Sequence, residues 1–248
     1  MSNDKTFFEK YYLLFFYFAF LSVDCWFLYN GQYSKRMYVK PLLIPSLLLW
    51  FMSNTAFNIR SSVGTLTARL ALYAMLGFTF AADICGLAGD AFVWSAAMLL
   101  YTLSAIVCMI IFISVQKNVS VNNKLVFSLT HTFYTFLVIA VLSAVYIHKV
   151  VEPSVDFHFI WICFYALILA LLGSLIANMW TLNLLRYVRV LFFFSVLFLI
   201  SANAIYGIDE LVYHRRHSSL DLLVAISSAL SNIFLILGII KFIRLKKG

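Results

Sequence analysis

Apolar runs of roughly twenty residues, the length that crosses a bilayer as an α-helix, follow one another along this chain. Only short polar breaks part them. Inside hydrocarbon every backbone N–H and C=O needs a partner within the protein, so such runs fold as helices. Of the 248 residues, 64% are hydrophobic and 11% charged. Soluble domains run near half apolar and roughly a quarter charged, so a soluble domain of any size is excluded.

The spans fall at about 11–29, 39–56, 68–88, 91–116, 125–147, 158–180, 186–208 and 220–241. The expected fold class is all-α: a polytopic bundle of about eight transmembrane helices, with residues 1–248 forming a single integral membrane domain. Polar breaks are clear at Gln32 to Arg36, Asn58 to Arg69, Lys117 to Lys124, His148 to Asp156 and His214 to Ser219. Gly86, Gly89 and Asp90 join the third and fourth spans tightly. Asp4, Lys5, Glu9 and Lys10 precede the first run without a small-residue cleavage site, so no cleavable signal peptide is expected. Cys25, Cys85, Cys108 and Cys163 lie in or beside apolar runs, at spacings that fit neither a zinc site nor a disulfide framework. They read as small buried hydrophobes.

The net charge of +8 would suggest nucleic acid in a soluble chain. Here the basic residues sit between spans and report topology instead. An even number of spans puts both termini on one face. That face carries Lys5, Lys10, Arg60, Arg69, Lys117, Lys124, Arg186, Arg189, Lys241, Arg244, Lys246 and Lys247. The other carries Lys35, Arg36, Lys40, Lys149, Arg215 and Arg216. Twelve against six puts both termini in the cytoplasm.

An ionisable group inside a span is costly and needs a reason. Asp24, Lys40, Asp83, Asp209, Glu210 and Asp221 all fall toward the non-cytoplasmic half on this topology, with Asn203 and Asn232 deeper. A polar pocket in that half is expected. Each residue also has a plainer reading. Asp209, Glu210 and Asp221 read as interfacial end-markers, and Lys40 as a snorkelling lysine. Asp24 reads as a helix cap or a partner of Lys40, and Asn203 and Asn232 as interhelical hydrogen-bond glue. His131 reads as an interfacial histidine away from this cluster. Asp83 is hardest to explain structurally, because it ends the long apolar run from Ala71 to Ala82. No phosphate-binding glycine loop, metal-spaced His/Cys set or nucleophile elbow is present. No metal and no cofactor is therefore expected. The adjacent Gly173 and Ser174 are a weak signal for close helix approach.

The stretch YVKPLLIPSLLLW at 38–50 resembles the Lys-Pro-Leu signature that opens the second helix of the YhhN family, which includes the lysoplasmalogenases. Three more stretches follow in that family's order. LGFTFAADICGL at 76–87 resembles its Gly-Asp segment, with Asp83 at the acidic position. SVLFLISANAIYGIDEL at 195–211 resembles its Ser-Asp segment, and SNIFLILGII at 231–240 its closing helix, with Asn232 in place of Gln. Departures are equally specific. The Ser-Asp pair reads Ser201-Ala202, the fourth-helix histidine aligns near Cys108, and Ala82 replaces the glycine before Asp83. Small residues around Ser228 replace a tyrosine pair. The chain thus resembles a divergent member.

The resemblance implies eight spans, a bacterial inner (cytoplasmic) membrane and hydrolysis of the vinyl ether of a lysoplasmalogen or related single-chain lipid. Its expected partner is a membrane lipid, a lysophospholipid, and not nucleic acid. Vinyl ether cleavage needs a proton donor for the β-carbon and an anion to steady the oxocarbenium-like centre or activate water. The resemblance implies Asp83 as donor. Asp24 is the candidate second carboxylate, since Asp209 stands about 10.5 Å along the helix from position 202. Lys40, Ser201, Asn203 and Asn232 are the expected substrate-binding residues. A non-catalytic bundle binding lipid or a protein partner stays open, and a transporter is a distant third. Reporter fusions test the topology: a fusion after Lys117 should report the cytoplasm and one after Lys149 the exterior. The opposite pair of signals would invert the orientation.

Overall fold

The computed structural model describes residues 7–55, 63–88, 91–119, 129–150, 157–182, 184–211 and 218–245, all helical or in short turns and without a strand. Eight α-helices are present among them: α1 (Phe7–Tyr29), α2 (Arg36–Thr55), α3 (Val63–Ala88), α4 (Ala91–Val119), α5 (Leu129–Val150), α6 (Phe157–Asn178), α7 (Arg186–Leu211) and α8 (Ser218–Leu245). Each coincides with one apolar run of the sequence. Most start or end a few residues beyond the apolar limits, because flanking polar residues can continue a helix outside the hydrophobic zone.

Six helices contain segments long and apolar enough to cross a membrane: Tyr11–Tyr29, Thr65–Leu87, Ser95–Val119, Cys163–Thr181, Arg186–Tyr206 and Ser218–Leu245. The chain is therefore a multi-pass integral membrane protein. The other two helices are α2 and α5. In α5 the apolar stretch is Thr132–Val145. At 20 residues α2 is the shortest of the eight, and it carries Arg36, Lys40 and two internal prolines, Pro41 and Pro45. Each proline lacks the N–H that would bond four residues back, so two carbonyls of α2 leave the helical ladder.

Sequential helices pack as antiparallel pairs: α1 with α2, α3 with α4, α5 with α6 and α7 with α8. α8 also packs on α1, α2 and α3, and α4 packs on α6. One continuous core joins Tyr17, Leu47, Trp50, Phe51, Leu72, Phe112, Leu172, Phe192, Ile236 and Phe242, drawn from every helix except α5. α5 leans on α6, where a Cβ on Gly173 would collide with Ile139 of α5. The missing side chain is what lets α5 come this close. Large apolar side chains cover the outside, among them Phe15, Phe16 and Trp26 of α1 and Phe133, Val138 and Leu142 of α5. Lipid is the solvent that tolerates such a surface.

Polar ties close the bundle at the end that holds Asn54 and Lys117. Gln116 of α4 donates to the Leu175 carbonyl at 2.8 Å, and Asn178 donates back to Gln116 at 3.4 Å. Arg69 donates to the Thr55 carbonyl at 3.4 Å, and Arg244 to Asn54 at 3.2 Å. The guanidinium of Arg189 stacks 5.3 Å from the centre of the Trp180 ring. Four cysteines are free; Cys108 is buried and the other three are half-buried.

Gly238 of α8 is a second close approach. A Cβ there would stand 2.6 Å from Cε1 of Phe192, whose ring is fully buried and meets Phe112 edge-on at 5.3 Å. Overpacking at such a site typically costs about 1–3 kcal/mol. Gly238→Leu should therefore lower the melting temperature in detergent, while Gly77→Leu, with open space around it, should not. Equal melting of the two variants would contradict this packing.

Candidate functional site

A cavity of about 1650 Å³ opens inside the bundle. Its lining follows helical periodicity. α1 contributes Tyr17, Leu21 and Asp24, and α3 contributes Met75, Thr79, Asp83 and Gly86. α2 contributes Arg36, Lys40 and Ile44, and α8 contributes Asp221, Ala225, Ser228 and Asn232. Steps of three and four place each set on one face of its helix. Polar groups gather at the end of the cavity formed by the late part of α1, α3 and α7 and the early part of α2, α4 and α8.

Two ion pairs organise that end. Lys40 Nζ lies 2.8 Å from Asp83 Oδ1, with the two side chains 20% and 16% exposed. Tyr101 of α4 donates its hydroxyl to the same Asp83 oxygen at 2.7 Å. In the second pair Arg36 grips Asp24 with two parallel bonds, Nε to Oδ1 at 2.8 Å and a terminal nitrogen to Oδ2 at 3.0 Å. Asp24 is 1% exposed. Arg36 also lies in the field of Asp221 and Asp83.

Several sequence expectations change here. Asp24 does not pair with Lys40. The 3-10 turn Tyr33–Lys35 brings Arg36, one helical turn earlier, to Asp24, and leaves Lys40 for Asp83. Asp24 borders the cavity with both oxygens engaged by Arg36 and almost no exposure. Ser201 is not among the cavity-lining residues, although its neighbour Ala202 is. Each residue turns about 100° around a helix, so Ser201 points away when Asn203, two residues on, faces the cavity. Asp221, read as an end-marker, lines the cavity. Asn203 lines it too, and its amide donates to the Leu199 carbonyl at 2.7 Å. Asn232 lines it from α8. The side chains of Asp209, Glu210 and His131 lie outside the described residues.

Tyr17, Tyr33, Tyr101, Tyr165 and Tyr206 also line the cavity and were missed. Among 14 tyrosines nothing in the sequence separates these five. Arg36 did carry a signal, since it stands four residues before Lys40 and so on the same face of a helix. Cys108, where the resemblance places a histidine, borders the cavity, as does Ser228. Thr79 and Ser104 bridge α3 to α4 at 2.8 Å within the same wall. No group of three or more His, Cys, Asp or Glu able to hold a metal is found among the described residues.

No family model matches the chain, and neither does any curated protein or solved structure. The site therefore rests on its own geometry.

Breaking a buried ion pair on one side leaves a charge without compensation, at a cost of about 3–5 kcal/mol. Arg36→Met should destabilise the protein on that scale, because Asp24 is the more buried partner. Adding Asp24→Leu should restore most of the loss. A double-mutant cycle on unfolding in detergent measures the coupling, and additive losses would show that the pair does not hold α1 to α2.

Proposed function

We propose that this chain is a YhhN-like protein with eight membrane spans and both termini in the cytoplasm. Its cavity takes a single-chain phospholipid, a lysoplasmalogen or a close relative, and hydrolyses the vinyl ether there. One observation carries the proposal: Lys40, Asp83 and Tyr101 meet at the polar end of a large cavity whose remaining walls are mostly apolar. Such a cavity has the polarity profile of an amphiphile, charged at one end and greasy along its length.

Lys40 supplies the cation for the lipid phosphate. In the empty site Lys40 and Tyr101 both contact one oxygen of Asp83. A phosphate that draws Lys40 to itself frees that carboxyl to face the vinyl ether. The protonated carboxyl can deliver its proton to the β-carbon of the vinyl ether, and the oxocarbenium-like centre takes up water. The products are a fatty aldehyde and a glycerophospho-base. α2 crosses the membrane beside α1 and α3 in this reading, because its two cations are neutralised by their carboxylates.

A second reading is binding without turnover. Ala202 in place of a carboxylate, Cys108 in place of a histidine and the closure of Asp24 by Arg36 favour it.

Asp83→Asn separates the two. The amide keeps the size and is cheaper to bury than a carboxylate, so folding should survive. Catalytic proton transfer is typically worth ~10²–10⁴-fold, so aldehyde release from a lysoplasmalogen should fall at least a hundredfold. A lysophospholipid-induced thermal shift should persist. Full activity in Asp83→Asn would remove Asp83 from the chemistry. A wild-type protein that shifts with lipid and releases no aldehyde would leave binding alone.

A further inference from the structure

The cavity extends well past its polar end. Ala177 and Trp180, where α6 ends, and Phe193 of α7 line its far part. From Phe193 to Tyr206 the axis of α7 advances about 20 Å, at 1.5 Å per residue. Over this distance one side of the cavity is not a packed helix pair. α5 supplies Thr135, Ile139, Leu142 and Ser143, all from one helical face, and α7 supplies Phe193 and Leu197. α5 is braced on α6 through Ile139 at Gly173 and touches α7 only slightly.

Exposure locates an edge. Leu142 lines the cavity yet is 63% exposed, and Leu197 and Phe193 are 42% and 41% exposed. Side chains this open are not enclosed by the bundle; they border a gap. All three are apolar and stand on helices within the membrane zone, so the gap faces hydrocarbon. At its far end Trp180 meets Phe193 edge-on with ring centres 6.3 Å apart, and Arg189 covers the indole. The slot is therefore mostly apolar, with Thr135 and Ser143 as its polar α5 groups, stopped at one end by Trp180 and continuous at the other with Lys40 and Arg36.

We infer that the gap between α5 and α7 is a lateral portal and chain slot for a lysophospholipid. The lipid slides in from the bilayer with its phosphate travelling to Lys40 and its single chain lying along Leu142 and Leu197 toward Trp180. This rests on the single-chain phospholipid reading above and adds the route and the seat of the chain. A two-chain lipid would have to place its second chain outside the slot.

The test uses the full-length protein in nanodiscs and a long-chain lysophosphatidylethanolamine with a diazirine at the chain terminus. Photolysis followed by peptide mapping should place the label on the peptides that contain Leu142, Trp180 or Phe193. An excess of unlabelled lysophosphatidylethanolamine should compete it away. The double variant Leu142→Trp/Leu197→Trp fills the slot and should cut labelling at least tenfold at an unchanged melting temperature. Competable labelling confined to α1, α3 or α8 would overturn the portal and leave lipid binding standing. No competable labelling anywhere would overturn both. Equal labelling by a fatty acid carrying the same diazirine would overturn the role of the phosphate.

Discussion

α2 carries two cations one helical turn apart, and a carboxylate from a different neighbour meets each of them. Arg36 holds Asp24 of α1, and Lys40 holds Asp83 of α3. Charges of either sign are expensive in a bilayer, and pairing removes most of the net charge though not the cost of desolvation. α2 is also the shortest helix and the one with prolines in its body. It has the least apolar surface with which to hold its place. The two ion pairs clamp it between α1 and α3, and the polar end of the cavity is what this clamp leaves open. Fold and site thus depend on the same contacts.

The all-helical fold, and the order and approximate limits of the eight helices among the described residues, were legible because hydrocarbon imposes one rule on every backbone group. The grouping of charged residues at one end was legible too. Alternating helix direction sends the late residues of α1, α3 and α7 to the same side as the early residues of α2, α4 and α8. Partner choice was not legible. Arg36 reads as a loop cation in sequence, and only the tight 3-10 turn after α1 delivers it to Asp24 in place of Lys40. Ser201 failed for a different reason. An alignment places residues in order, whereas the face of a helix depends on rotation, and a two-residue offset reverses it. Tyr101 belongs to a third kind: a hydrogen bond between α3 and α4 has no local pattern to announce it.

The difference between the two acid sites shows how alike ion pairs can serve unlike ends. Arg36 uses a planar fork that engages both oxygens of Asp24 and leaves the carboxylate with nothing to offer a ligand. Lys40 is a single point of charge on a flexible stem and occupies one oxygen of Asp83. Tyr101 shares that oxygen. A bidentate arginine fixes structure; a lysine can swing to another anion and release its partner.

For the proposed hydrolysis, that distinction bears on the alanine at position 202. A two-carboxylate scheme assigns protonation to one acid and water activation to the other. Glycosidases of the retaining type show that one residue can act first as acid and then as base, because it is left ionised once its proton is gone. In the proposed hydrolysis the same logic would apply to Asp83. Having given its proton to the β-carbon, it would become an anion beside a cationic centre, where it would both steady the charge and take a proton from the attacking water. The water oxygen would then bond the former ether carbon, and collapse of the hemiacetal would yield the aldehyde. Asp83 would regain the proton it lost, and departure of the phosphate would return Lys40 to it. Ala202 would then remove one way of dividing the labour without removing the chemistry. The demand on Lys40 would rise accordingly, because one carboxylate serving both steps would have to be freed and recaptured in every turnover.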